Sequence, residues 1–366
     1  MKAAVLRDKG GPLVIEELEL DPPKAGEVKI KMVATGICHS DFSVINGKLR
    51  APLPVVLGHE GAGIVTELGE GVTDLAVGDH VICSLSPSCG VCPMCKEGKP
   101  FLCVEMGKML TDCCHQDGTY RFKDKAGDDV KALCAIGSFA EEAVIPAGCA
   151  IKVADDVPLD KVCLVGCGVT TGTGAAVNTA DIKEGDTVAV IGCGGVGMSI
   201  IQGARIKGAS IIICIDPTED SQKLALEVGA THVINPFTED TLERVKEICG
   251  GMGVNHAFEA LGKTQTMEQA FNILRPGGEA IIVGVTSLKE SLKLPAAAFL
   301  GEFSIVGSLY GDSTPKEDLP MFVDWYTEGK LKLDEMITKV IKLEDINDAL
   351  DEMSRGEGVR TVIIHD

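Results

Sequence analysis

Four cysteines, Cys89, Cys92, Cys95 and Cys103, stand in the run CGVCPMCKEGKPFLC with spacers of two, two and seven residues. Tetrahedral zinc takes four thiolates, and short spacers let neighbouring sulfurs converge on one ion without strain. Gly90, Pro93, Gly98 and Pro100 supply the turns that wrap such a loop around a metal. A redox pair, or two disulfides in a secreted domain, are the alternatives. Nothing else in the chain looks secreted, so residues 89–103 read as a lobe closed around a structural zinc.

A second set of candidate ligands is dispersed. GICHSDF carries Cys38, His39, Ser40 and Asp41; GHEGAG carries His59 and Glu60; LVGCGVTTGTG carries Cys167. One imidazole and two thiolates make an open zinc site, with a coordination position left for water or substrate. Taken singly each residue is weak, because a cysteine in an apolar segment is usually packing. Each is flanked by glycine (Gly36, Gly58, Gly61, Gly166, Gly168), which permits close backbone approach.

The third signal is VAVIGCGGVG, in which Gly192, Gly194 and Gly197 follow an apolar run and open the helical pattern GMSIIQGARIKG. IIICID then ends in Asp216, 19 residues after Gly197. In this strand–turn–helix context the glycines seat a pyrophosphate on a helix N-terminus, and the carboxylate takes the adenosine ribose. An acid there repels a 2′-phosphate, so NAD is favoured over NADP.

Together, and in this order, the motifs resemble the zinc-dependent alcohol dehydrogenases of the medium-chain dehydrogenase/reductase superfamily, nearest the aryl or primary-alcohol branch. The resemblance runs from KAAVL to VRTVII, and DGTYRF matches the branch that keeps a long segment after the zinc lobe. It implies two zincs per chain, a catalytic one on Cys38, His59 and Cys167 and a structural one on Cys89, Cys92, Cys95 and Cys103. It also implies that Asp41 holds the second nitrogen of His59, that Glu60 sits behind the metal, and that Ser40 passes on the substrate proton. Thr171 and Val196 would pack around the nicotinamide, Gly195 would complete the glycine loop, and Arg360 and His39 would face the pyrophosphate. The implied reaction is reversible oxidation of a primary or aromatic alcohol to an aldehyde, with hydride passing to NAD from alkoxide on zinc. A thiol-adduct formaldehyde dehydrogenase is a second reading, and a non-catalytic zinc or redox-sensing protein a third.

Departures from the family pattern bear on this. His39 stands where many relatives carry Arg, Ser43 where a relay His would stand, and Leu49 where formaldehyde dehydrogenases have an acid. Ser221 replaces a Lys near the ribose, and Leu85 an aromatic pocket wall, which leaves a roomier apolar pocket. Leu49 and the stretch Leu133 to Ile136 are further lining candidates. Cys167, in place of the Glu of polyol dehydrogenases, tilts away from sugars.

These residues need a frame. Short strands punctuated by Pro and Gly (KAAVL, VIEELEL, EVKIKMVATG, GHEGAGIVTEL, DHVICSL) predict a compact β-rich domain first. From Asp186 apolar strands begin every 22 to 25 residues, the repeat of βα units in a parallel sheet. Met267, Ala270, Phe271 and Leu274 share one helical face, and RPGG is expected to stop that helix. The expected fold is α/β, a doubly wound six-stranded parallel Rossmann sheet over 169–309. It is inserted in a β-rich GroES-like catalytic domain, 1–168 and 310–366, that carries the zinc lobe.

Composition sets the bounds. The 366 residues suit two domains. A net charge of −20 opposes nucleic acid and anionic membrane, so a small-molecule alcohol or aldehyde is the expected partner. No apolar run approaches a membrane span, and MKAAVLRDKG does not read as a signal peptide. A reducing cytoplasm fits the fifteen cysteines, of which metal sites claim several. The resemblance further implies a homodimer joined near the strand that starts at Phe303.

Overall fold

A computed structural model describes residues 1–287 and 289–365. The chain divides into two units, one of residues 1–167, 314–328 and 337–366, the other of residues 168–313 and 329–336.

The first unit is built on strand β1 (Glu27–Gly36), in which Val28, Ile30, Met32 and Ala34 alternate into the core with no exposed surface. That period of two buries one face of the strand and fixes its register. β1 pairs antiparallel with β2 (Glu60–Leu68), which pairs with β3 (His80–Cys83). On its other flank β1 meets Glu142–Pro146 and, at Ala34 to Gly36, the strand Arg360–Ile364. Helix α1 (His39–Ile45) leaves directly from the end of β1. Its third residue, Asp41, returns a carboxylate to the Cys38 N–H at 3.0 Å, which starts the helix within one turn of the strand.

The second unit holds six parallel strands: β4 (Thr187–Ile191), β5 (Ile211–Ile215), β6 (His232–Ile234), β7 (Val254–Glu259), β8 (Leu274–Ile282) and β9 (Ser304–Gly307). Their spatial order is β6-β5-β4-β7-β8-β9. The order reverses between β4 and β7, and such a switch point opens a crevice at the carboxyl ends of the strands. Val188, Ala189, Val190, Ile213 and Cys214 are fully buried, as a sheet covered on both faces requires. Helix α2 (Gly195–Ile206) follows β4, and α3 (Thr264–Asn272) follows β7. α3 stops at Asn272, before RPGG. Arg275–Gly278 lie inside β8 as a bulge, where two steps on β7 (Val254 to His256) face five on β8 (Leu274 to Glu279). No helix among the described residues is long and apolar enough to cross a membrane.

Candidate functional site

Cys38, His59, Glu60 and Cys167 each bring one ligand atom within 4.8 Å of the others, and all sit in the first unit. Three local structures deliver them. Cys38 starts α1, His59 and Glu60 open β2, and Cys167 follows the short helical turn Cys163–Gly166. Asp41, fully buried, accepts from Gly58 N at 2.9 Å, and its Oδ1 lies 3.2 Å from His59 Nδ1. With a proton on Nδ1, the lone pair of His59 Nε2 is left to a metal. Arg360 donates to Glu60 Oε2.

Electrostatics at the cluster favours a cation. The hydrogen bond from Cys167, with help from His59, draws the Cys38 thiol well below its ordinary value. The same Cys38–Cys167 hydrogen bond, together with burial, holds Cys167 well above. Burial opposes a charge on His59, but Asp41 and Cys38 overcome it and raise the imidazole. A thiolate, a thiol and an imidazole drawn towards its charged form are thus crowded together, with protons on Cys167 and His59. A divalent ion suits this donor set, because metal binding releases such protons.

Cys89, Cys92, Cys95 and Cys103 also converge within 4.8 Å. A zinc tetrahedron with Zn–S of about 2.3 Å has sulfur–sulfur edges of roughly 3.8 Å, inside that limit. Cys92 caps the turn Pro93–Lys96 and accepts from Cys95 N at 3.5 Å. The backbone N–H groups of Cys95 and Val104 bring its thiol down to about 6, while burial pushes Cys95 up to about 12. All fifteen cysteines are free of disulfides, and several outside these clusters are plain core. Burial raises Cys83 to about 12 and Cys134 to about 11, which leaves unreactive thiols.

Ser40 Oγ lies 3.7 Å from Cys38 Sγ, beside the cluster. His39 is exposed, and partial burial with the positive charge of Arg360 and Lys48 lowers its imidazole despite the nearby Cys38. Leu85 and Leu133–Ile136 are buried, whereas Ser43 and Leu49 are half-buried on α1 and the turn after it.

The nucleotide candidates gather in the second unit, apart from Arg360 and His39, which belong to the first. Gly192 adopts φ +88° at the end of β4, a conformation that side chains resist. α2 starts at Gly194 without a side-chain cap, and nothing stands within 4 Å of where a Gly194 Cβ would be. An open glycine turn on an uncapped helix N-terminus fits a pyrophosphate. Gly195 and Val196 begin that helix; the segment bearing Thr171 packs on it so closely that a Cβ on Gly172 would collide with Val196 O. Asp216 accepts from Cys193 N and Thr218 N, both at 2.9 Å.

Two networks escaped the sequence. Glu27, His115 and Arg121 form a buried ionic group, and Glu259 gathers the loop after β7. Neither has a motif: each is a lone acid in a strand, and only FEALG, an acid that ends an apolar strand before glycine, hints at the second.

Residues 24–155 match the alcohol dehydrogenase GroES-like domain, and residues 195–328 the zinc-binding dehydrogenase domain. The chain is 39% identical to an NDMA-dependent alcohol dehydrogenase of Amycolatopsis methanolica, over 100% of this chain and 98% of the relative. It is 36% identical to an S-(hydroxymethyl)glutathione dehydrogenase of Paracoccus denitrificans, over 100% and 99%. Among solved structures, benzyl alcohol dehydrogenase of Acinetobacter calcoaceticus superposes with a TM-score of 0.93 at 34% identity, over 100% and 99%.

Proposed function

Because the chain belongs to the zinc-dependent alcohol dehydrogenases of the medium-chain dehydrogenase/reductase superfamily, we propose that it interconverts a primary or aromatic alcohol and its aldehyde. It is an enzyme that uses NAD and zinc. The observation that carries the reading is the convergence of Cys38, His59 and Cys167, with Asp41 behind the imidazole. The six-stranded sheet of the second unit reads as the Rossmann nucleotide fold, and the first unit as the catalytic domain.

Cys38, His59 and Cys167 would hold zinc, which would supply the Lewis acidity that eases loss of an alcohol proton, and bound NAD would supply the hydride acceptor. The chain's own residues do the rest. Asp41 fixes the tautomer and direction of His59. Glu60, anchored by Arg360, stands among the ligands without being one of the three. Ser40 takes the hydroxyl proton beside the cluster. Gly192, Gly194, Gly195 and Gly197 receive the pyrophosphate, Asp216 the adenosine ribose, and Thr171 and Val196 the nicotinamide; Arg360 adds positive charge, and His39, whose imidazole is lowered, adds it only in acid. Leu85 and the Leu133–Ile136 stretch are buried and apolar, which supports an aromatic or aliphatic substrate over a sugar.

A panel of aliphatic, aromatic and polyol alcohols, read by nicotinamide absorbance, tests the reading. Benzyl-type or primary alcohols should lead, and a polyol in first place defeats the substrate class. Likeness to the S-(hydroxymethyl)glutathione dehydrogenase favours a second reading, oxidation of formaldehyde–thiol adducts, against which Leu49 counts. Formaldehyde oxidation with and without added thiol separates the two. Free thiols throughout support a reducing, cytoplasmic setting. The exposed edge of β9, with Phe299, Leu300 and Leu309 exposed near it, supports a homodimer; a solution mass near the single-chain 38.4 kDa defeats that.

A further inference from the structure

Glu259 ends β7 with no exposed surface, and its carboxylate pairs with no cation among the described residues. An ionised carboxylate buried without a counter-charge must be met by hydrogen bonds. Glu259 Oε1 accepts from Leu261 N at 3.0 Å, Gly262 N at 2.9 Å and Thr266 Oγ at 2.6 Å, with Lys263 N at 3.4 Å. Oε2 accepts a second bond from Gly262 N at 3.1 Å. These donors are the loop after β7 and the first turn of α3, whose cap position is occupied by Lys263 with no side-chain cap. Glu259 thus supplies the anion that a helix N-terminus favours and that its own cap residue cannot.

The backbone of the same residue holds the neighbouring loop. Glu259 O accepts from both Val283 N and Gly284 N at 2.9 Å. A Cβ on Gly284 would lie 2.6 Å from Glu259 Oε2 and would collide with Gly262 N, so the two loops interlock through this one glutamate. They present Leu261, 44% exposed, and Val285, 50% exposed, at the carboxyl edge of the sheet. Leu261 also covers the glycine turn, since a Cβ on Gly192 would lie 2.5 Å from its Cγ. Two exposed apolar side chains thus stand on loops that one buried carboxylate interlocks, Leu261 on the glycine turn and Val285 beside Gly262.

We propose that Glu259 is a positioning residue for the coenzyme: it touches no reactant, and holds Leu261 and Val285 against the nucleotide before NAD arrives. The inference rests on the coenzyme placement given above. Binding to a preorganised platform avoids the cost of ordering loops on association.

Titration of zinc-loaded enzyme with NAD, followed by tryptophan fluorescence or calorimetry, tests it in Glu259→Gln, Thr266→Val and Gly284→Ala. Glu259→Gln turns an acceptor towards Gly262 N–H into a donor, and Gly284→Ala pushes the carboxylate away with its charge intact. Each should weaken NAD by about tenfold, the effect of one lost hydrogen bond to a charge, with Thr266→Val the mildest. The alcohol KM at saturating NAD and the zinc content should stay unchanged, which a general loosening of the fold would not allow. Folded Gly284→Ala or Thr266→Val that binds NAD within twofold of wild type overturns the inference, even if Glu259→Gln fails to fold. Wild type without affinity for NAD defeats the coenzyme placement and this inference with it; equal binding by wild type and variants defeats the inference alone.

Discussion

Arg360 sets its guanidinium on the Glu60 carboxylate across 300 positions of sequence, and both side chains are buried. Gly36, on the strand between them, makes room: a Cβ there would stand 3.0 Å from Arg360 Nη2. Glu60 is itself one of the four groups gathered at the candidate catalytic centre. The pair therefore ties the metal cluster to a basic residue that the family resemblance directs to the coenzyme pyrophosphate. Arg360→Ala should take the guanidinium from the buried Glu60 carboxylate and lower stability, the usual direction when a buried pair is broken from one side. Arg360→Lys should recover only part of this, because an ammonium lacks the planar fork. Urea unfolding of the two variants checks the order.

Metal analysis should give two zincs per chain. Cys38→Ala should remove one and abolish turnover while the fold survives. Cys95→Ser should remove the other and chiefly lower the Tm, because a closed four-sulfur site contributes to folding. Cys38→Ala that keeps both zincs would remove Cys38 from the ligand set.

Asp216 should govern coenzyme choice. Asp216→Ser removes repulsion of a 2′-phosphate and one charged hydrogen bond to the ribose. NAD affinity should fall by about tenfold or more, and NADP should gain relative to NAD. Cys193 N and Thr218 N also lose their acceptor, so Asp216→Asn should retain more of the NAD affinity than Ser does. A wild type that prefers NADP contradicts the assignment.

Ser40 should matter to the proton. Ser40→Ala should lower turnover by about 10²–10⁴-fold, the usual contribution of a proton-transfer group, with zinc content unchanged. Equal turnover in variant and wild type across pH would take Ser40 out of the mechanism and leave the metal and coenzyme assignments in place.

Acid should act through Glu27. Burial works against its charge, but the His115 imidazole beside it and hydrogen bonds from Arg121 prevail and hold the carboxyl at about 2. His115 Nδ1 lies 2.8 Å from Oε1, and Arg121 Nε lies 2.8 Å from Oε2. The folded value lies below an unfolded one of about 4.3, so the contribution is complete above that value and is lost as pH falls from about 5 towards 2. It is on the order of 3 kcal/mol. Glu27→Gln should be less stable at pH 7 and should lose less than wild type on acidification. Parallel stability–pH curves for the two proteins would contradict this.

Groups that announce themselves by spacing were legible in the sequence. The cysteines at 89, 92, 95 and 103 lie close along the chain, and the turn at Gly192 to Gly197 is local, so each carries its geometry in its own residues. Cys38, His59 and Cys167 were weak candidates by ligand chemistry and needed the resemblance to become a set, because β1, β2 and the turn before Cys167 bring them together over 129 positions. RPGG misled because a bulge and a helix stop use the same residues, and only the register of β7 on β8 tells them apart. Glu259 and Glu27 were silent for a physical reason. Their partners are mostly backbone N–H groups in one case and a distant Arg in the other, and neither leaves a pattern of residue types.

The seam along β1 has a consequence for how the protein is made. β1 gains its neighbour at Ala34 to Gly36 only when the strand Arg360–Ile364 exists, after the whole parallel-sheet unit has been synthesised. On a ribosome the nucleotide half can therefore finish folding while the metal half still has an open strand flank. Closure of that flank joins residues more than three hundred positions apart, the kind of contact that forms late. Until then Cys38 and Cys167 belong to an unfinished fold, whose last strand flank is still open.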